Sequence, residues 1–144
     1  MYKYFLFYLF FFASSSTYAQ NAEWRHIHQG NRAFVKGDYK TAEFEYRAAQ
    51  KLNPQSARAA FNLGDVYLAQ RNMQAALEQY QVAAKGESNK FLRALSYHNV
   101  GVAYHLNKQY DKAIDFYKEA LRNNPHDEDT RYNLVLCQKQ KKED

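Results

Sequence analysis

Between residues 57 and 86 the apolar positions fall into two runs with the same period. Leu63, Val66 and Tyr67 recur at spacings of three and four, the polar stretch "QRNM" interrupts, and Ala76, Leu77, Tyr80 and Ala84 resume the spacing. That period predicts two amphipathic helices joined by a short turn. Similar blocks stand on either side: "AEFEYRAAQKLNP" at 42–54 and "AIDFYKEALRNNP" at 113–125 match "AALEQYQVAAK" at 75–85. Self-similarity at a fixed period is the mark of a repeat array.

Aligning Gly30, Gly64 and Gly101, which are 34 and 37 residues apart, brings the other small residues into register. Ala42, Ala76 and Ala113 follow their glycine by twelve, Tyr46, Tyr80 and Tyr117 by sixteen, and Ala49, Ala83 and Ala120 by nineteen. Pro54 and Pro125 come at twenty-four, beyond the second helix, because proline inside a helix costs about 3 kcal/mol. The repeats therefore run over 23–56, 57–90 and 94–127, with "FLR" at 91–93 as an insertion. In the first repeat the break is "KGDY", where Gly37 supplies a permissive helix stop.

This pattern predicts an all-α chain. Two antiparallel helices approach closely where the facing residues are small, and the aromatics fill the wider gaps. One such pair leaves an apolar face uncovered, so neighbours must stack to bury it. After Pro125, "HDEDTRYNLVLCQKQKKED" has an acidic start and a basic end that suit a helix dipole. It reads as a capping helix at 128–144 that covers the open end with Tyr132, Leu134, Val135 and Leu136, its final "KQKKED" frayed and solvated.

The aromatic content of 17% changes meaning along the chain, because nine aromatic residues lie between Tyr2 and Tyr18. There "MYKYFLFYLFFFASSSTYAQ" sets Lys3 before an apolar run from Tyr4 to Phe12 and then small and polar residues up to Ala19. This is the layout of a secretory signal peptide over 1–19, with Ala19 at the cleavage point. An uncleaved anchor is the alternative, although the run is well short of the roughly 20 residues that span a bilayer. Cys137 is the only cysteine, so no intramolecular disulfide forms, and its place in "LVLC" makes it a buried small hydrophobe. The net charge of +5 is too scattered to specify a polyanion or nucleic-acid partner.

Candidate chemistry is sparse. His98 and His105 are seven apart, His26 and His28 two apart, and His126 stands alone, so none has the i, i+4 spacing of helical metal sites. There is no phosphate loop, nucleophile elbow or distinctive carboxylate pair. The sequence points to a protein that is not an enzyme and uses no metal or cofactor.

The repeat resembles the tetratricopeptide repeat, in which an aromatic, Leu-Gly and Tyr mark the first helix and Ala, an aromatic, Ala and Pro the second. Leu63, Gly64, Tyr67, Ala76, Tyr80 and Ala83 match in the second repeat, and Tyr97, Gly101, Tyr104, Ala113, Tyr117, Ala120 and Pro125 in the third. The first departs most, with His26, Gln29 and Ala33 in its leading helix. The resemblance implies a helical-hairpin solenoid of three repeats plus a cap, whose leading helices line a concave groove that binds protein segments.

The sixth position of each leading helix holds His28, Asn62, Asn99 and Asn133. Asparagine offers two donors and an acceptor, enough to bond both the C=O and the N–H of an extended peptide. The alternative is that some of these asparagines bond only to neighbouring helices. The fifth and ninth positions add Ile27, Phe61, His98 and Tyr132, and Asn31, Asp65, Val102 and Leu136, with Arg58 as a nearby cation. The candidate groove is thus His28, Asn31, Arg58, Phe61, Asn62, Asp65, His98, Asn99, Tyr132 and Asn133. Relatives that clamp a C-terminal carboxylate use lysine and arginine where this chain has Ile27, Leu95 and Asn99, so a segment with hydrophobic anchors is expected.

A narrower resemblance joins "SYHNVGVAYHLNKQYDKAIDFYKEALRNNPHDEDTRYNLVLCQKQ" and "HIHQGNRAFVKGDYKTAEFEYRAAQKLNP" to the exported repeat proteins of bacterial aerotolerance (Bat) operons. It implies a periplasmic adaptor whose partners include membrane proteins with von Willebrand factor A-like domains. Two other readings stay open: a membrane-retained assembly subunit working through its convex face or Phe91, and a binder of envelope polyanions.

Overall fold

The computed structural model describes residues 20–86 and 89–143, and the segment expected to be a signal peptide, 1–19, lies outside them. The described residues are helical with no strand. They fall into two compact units, one ending at Ser56 and one running from Ala57 onward.

In the first unit, helix α1 (residues 20–35) turns back into α2 (Tyr39–Leu52). Gly37, at φ +76°, makes the turn, and the Asp38 N–H reaches the Ala33 carbonyl at 3.0 Å to close it. Asp38 then caps α2, its carboxylate accepting from the Thr41 N–H at 3.1 Å. Ile27, Ala33, Ala42, Tyr46 and Ala49 are buried, with the Tyr46 ring against Gly30. His26 Nδ1 meets Glu45 Oε2 at 2.7 Å and Asn53 Nδ2 donates to Glu23 Oε2 at 3.0 Å, tying the pair together along its length.

The second unit holds α3 (Ala57–Ala69), α4 (Met73–Gly86), α5 (Lys90–Leu106), α6 (Tyr110–Asn123) and α7 (Glu128–Glu143). Helix α3 pairs with α4 and α5 with α6, while α4 packs on α5 and α6 on α7. The turns within both pairs repeat the first unit's: Arg71 (φ 61°) and Lys108 (φ 55°) take the left-handed place of Gly37, and the N–H groups of Asn72 and Gln109 reach back to Tyr67 and Tyr104 carbonyls at 2.8 and 2.9 Å. The inserted 91–93 stretch is helical, part of the first turn of α5, and Asn89 caps it by accepting from the Phe91 N–H at 2.9 Å.

Each glycine of the repeat register faces a tyrosine. A Cβ built on Gly30, Gly64 or Gly101 would lie 2.5, 2.4 or 2.6 Å from the ring of Tyr46, Tyr80 or Tyr117. Only glycine lets the helices close over those rings, which are 2%, 0% and 1% exposed. Full burial of such a side chain stabilises by about 2–3 kcal/mol.

The C-terminal end differs from expectation in two respects. Leu134 packs on the cluster of Ala113, Tyr117 and Cys137, but Tyr132 and Val135 are 68% and 60% exposed and cover nothing. Val135 stands at the position of Gly64 and Gly101, and no helix follows α7 among the described residues to pack against it. The charged end is not frayed: α7 stays helical through Glu143, and Lys141 reaches across to Asp111 on α6. Cys137 is fully buried, its thiol 3.7 Å from the Tyr110 carbonyl, and burial followed by the charge of Asp111 raises its pKa.

Candidate functional site

The leading helices of the second unit, α3, α5 and α7, each carry a polar residue followed three positions later by a second candidate: Asn62 and Asp65, Asn99 and Val102, Asn133 and Leu136. That spacing puts both members on one face of their helix. His28 and Asn31 have the same spacing on α1, in the first unit, where Asn31 Oδ1 accepts from the Tyr46 hydroxyl at 2.7 Å.

A buried tyrosine ends beneath this face in each hairpin of the second unit. The Tyr80 hydroxyl, passing over Gly64, donates to Asp65 Oδ1 at 2.6 Å. Asn99 Nδ2 donates to the same oxygen at 3.4 Å, joining α5 to α3. The same amide also bonds the Tyr80 hydroxyl, so Asn99 is committed to the α3–α4 hairpin through its N–H side and keeps its carbonyl as capacity for a ligand. Burial raises the Asp65 carboxyl above its ordinary range, with the Tyr80 bond opposing. The Tyr80 hydroxyl is pushed up in turn, first by burial and then by the Asp65 charge.

In the next hairpin the position after glycine is Val102, which offers no acceptor, and the Tyr117 hydroxyl turns to His105 Nδ1 at 3.2 Å instead. His105 Nε2 lies 2.7 Å from Gln140 Oε1, an atom that only accepts, so the imidazole is protonated on Nε2 and Nδ1 receives the tyrosine proton. With Val102 apolar, a cleft of about 570 Å³ lies between α5 and α7, and the His105–Gln140 bridge forms part of its wall. Val102, Leu106, Tyr117, Asn133 and Leu136 line it, and Lys108 and Glu143 add one charge of each sign.

His98 does other work. Its Nδ1 lies 2.6 Å from Thr130 Oγ1, which in turn donates to Asp127 Oδ2 at 2.7 Å while Asp127 Oδ1 takes the Thr130 N–H at 3.0 Å. A carboxylate only accepts, so the threonine proton goes to Asp127 and His98 donates through Nδ1–H. The chain of bonds clamps the start of α7 to α5. Burial lowers the His98 pKa against the pull of Asp127 and Asp129. Burial would raise Asp127, but the Thr130 bonds and His98 hold it low.

Of the residues chosen from sequence, Asp65 and Asn99 come together and Asn133 joins the cleft. Phe61 turns toward the Tyr80 ring, centroids 5.7 Å apart, and Tyr132 and Arg58 are exposed. Sequence reasoning passed over His105, Leu106, Tyr117 and Gln140. The signal was present: a buried tyrosine whose usual acceptor position holds valine must find another partner. No group of three metal-ligating side chains converges among the described residues.

Comparison with known proteins gives the same architecture. Two spans, 28–90 and 94–127, match the tetratricopeptide repeat. The human intraflagellar transport protein 88 homolog is 33% identical over 78 residues, which is 53% of this chain but only 9% of that protein's length. The TPR domain of Arabidopsis OM64 superposes with a TM-score of 0.76 at 21% identity, covering 84% of this chain and 98% of that one. The TPR2B domain of yeast Sti1, solved as a complex with pHsp70, gives 0.75 at 17% identity over 83% and 98%. The second TPR domain of human RPAP3, solved with an HSP70 peptide, gives 0.76 at 16% identity over the same 83% and 98%. The two matched spans take in about two thirds of the sequence, with the buried Tyr–Gly contacts at Gly30, Gly64 and Gly101 inside them, and the chain belongs to the tetratricopeptide repeat family.

Proposed function

We propose that this protein is a non-catalytic adaptor that binds an extended segment of a partner protein across the α3–α5–α7 face. The observation that carries the reading is the 570 Å³ cleft between α5 and α7, apolar at Val102, Leu106 and Leu136 and edged by the Asn133 amide. Such a cleft takes one large apolar side chain while amides hold the backbone beside it. The Sti1 and RPAP3 domains, solved with Hsp70-derived partners, support a peptide-binding use of the fold.

The setting we propose is the cell envelope. The N-terminal layout of Lys3, an apolar run and Ala19 supports export to the periplasm or to the periplasmic face of the membrane. The Bat-like stretches support an aerotolerance-type complex, with von Willebrand factor A-like membrane proteins as partners. A second reading, docking through the opposite face, draws on Phe91 and Val82, which are 61% and 43% exposed.

Site-specific photo-crosslinking decides between them. With the crosslinker at Leu136, envelope extract should yield a discrete adduct whose peptide maps to one extended segment, and the same probe at Val82 should yield none. Adducts from Val82 and Phe91 alone would move function to the other face. Determining the mature N-terminus tests export: residue 20 means release, residue 1 means anchorage.

A further inference from the structure

Asp65 holds an unneutralised charge on the face just described. Both of its hydrogen bonds, from Tyr80 and Asn99, land on Oδ1, and both donors are neutral. No fully buried side-chain oxygen lacks a partner among the described residues, so Oδ2, which takes neither of these bonds, is not sealed from solvent. The carboxylate is therefore held at Oδ1 and partly desolvated, with Oδ2 within reach of a donor. A hydrogen bond from a cation is about twice as strong as one between neutral groups, and partial desolvation strengthens it further. An acidic segment would meet repulsion here.

The apolar cleft lies one helix further along. Asn99 on α5 bonds Asp65 directly and Val102, one turn along α5, lines the cleft, so the step from Asp65 to the cleft is about one helix spacing and a half, roughly 12–15 Å. An extended chain covers that in about four residues. We propose that the segment bound on this face carries a lysine or arginine that pairs with Asp65 Oδ2 and, about four residues away, an apolar side chain that fills the cleft beside Val102 and Leu136. This rests on the reading that the face binds an extended segment, and it adds the partner's chemistry. A basic residue plus an apolar anchor is opposite in charge to an acidic tail.

The test is a peptide array in which a leucine or phenylalanine anchor is fixed and Lys, Arg, Ala or Glu is walked through the neighbouring positions on either side. It is probed with the full-length chain in mild detergent and with Asp65→Asn and Leu136→Asp variants, each checked for helicity. Asparagine keeps the acceptor for Tyr80, so the first variant should fold. Wild type should prefer Lys or Arg over Ala about four residues from the anchor by roughly tenfold. Asp65→Asn should lose that preference and keep the anchor, and Leu136→Asp should lose the anchor. Binding of anchored peptides with no preference for a cation, or with preference for Glu, overturns this proposal and leaves the groove reading intact. Binding of no peptide overturns both.

Discussion

Tyr80 is used at both ends. Its ring lies where a Cβ on Gly64 would fall at 2.4 Å, and its hydroxyl holds Asp65 at 2.6 Å. Gly64→Ala should therefore cost about 1–3 kcal/mol, as overpacking does, read from urea denaturation. Tyr80→Phe should cost about 1 kcal/mol from the lost bond to Asp65 while leaving the helix pairing in place. His98 gives a pH dependence. Its pKa is lowered by burial, against Asp127 and Asp129, so the folded state takes up a proton less readily than the unfolded chain. Stability from this group is full above the ordinary value of 6.5 and falls as the pH drops below it toward the folded value. Asp65 acts in the opposite sense: with its pKa raised, its contribution is full below 3.8 and fades as the pH rises through the folded value. Thermal midpoints at about pH 7 and pH 5 should differ less in His98→Gln than in wild type, and an equal difference in both would remove His98 from the account. The tyrosine and glycine positions were legible because they share one register. The hydrogen bonds of Asp65 and His98 were not, because the register shows which positions recur, as in Tyr46–Asn31 and Tyr80–Asp65, but not which side chains bond across helices.

At the scale of elements, the three hairpin turns have one geometry and three sequences. Gly37, Arg71 and Lys108 all have φ between 55° and 76°, but only the first is a glycine, so the spacing marked one turn by chemistry and the others by interruption alone. An L-residue in this region carries a strain of about 1–2 kcal/mol that glycine avoids, partly offset by glycine's greater unfolded freedom. Arg71→Gly and Lys108→Gly should each stabilise by about 0.5–1 kcal/mol in urea denaturation, and Gly37→Ala should destabilise. The helix starts differ likewise. Asn72 caps α4 by accepting from the Ala75 N–H at 3.3 Å, whereas Gln109 makes no side-chain cap on α6. Gln109→Asp should stabilise by about 1 kcal/mol. The reading of α7 as a cap missed which side of it is covered. Leu134 and Cys137 face α6, but Val135, at a glycine position, faces outward, and sequence periodicity does not say whether a further helix will follow.

For the molecule as a whole, one unit of leading helix, turn and returning helix is used again with small changes, and those changes fall where function is proposed. Val102 in place of an acceptor diverts the Tyr117 hydroxyl to His105, ties α5 to α7 through Gln140 and leaves an apolar cleft between them. The position was visible in the sequence, but its consequence needed the helices in place, since the cleft is lined from α5, α6 and α7 together. The net charge of +5 plays little part in this face. Arg47, Arg122, Arg131 and Lys139 pair with acidic residues three or four positions away on their own helices, and such exposed pairs contribute little. The central claim is that the α5–α7 cleft anchors a partner segment, and the most direct test is the affinity of the segment crosslinked from envelope extract for two matched variants. Leu136→Asp should weaken it by at least about tenfold, the effect of losing a buried anchor, while Val82→Asp on α4 should stay within about twofold. The reverse order, with Leu136→Asp binding as wild type and Val82→Asp failing, would contradict the account.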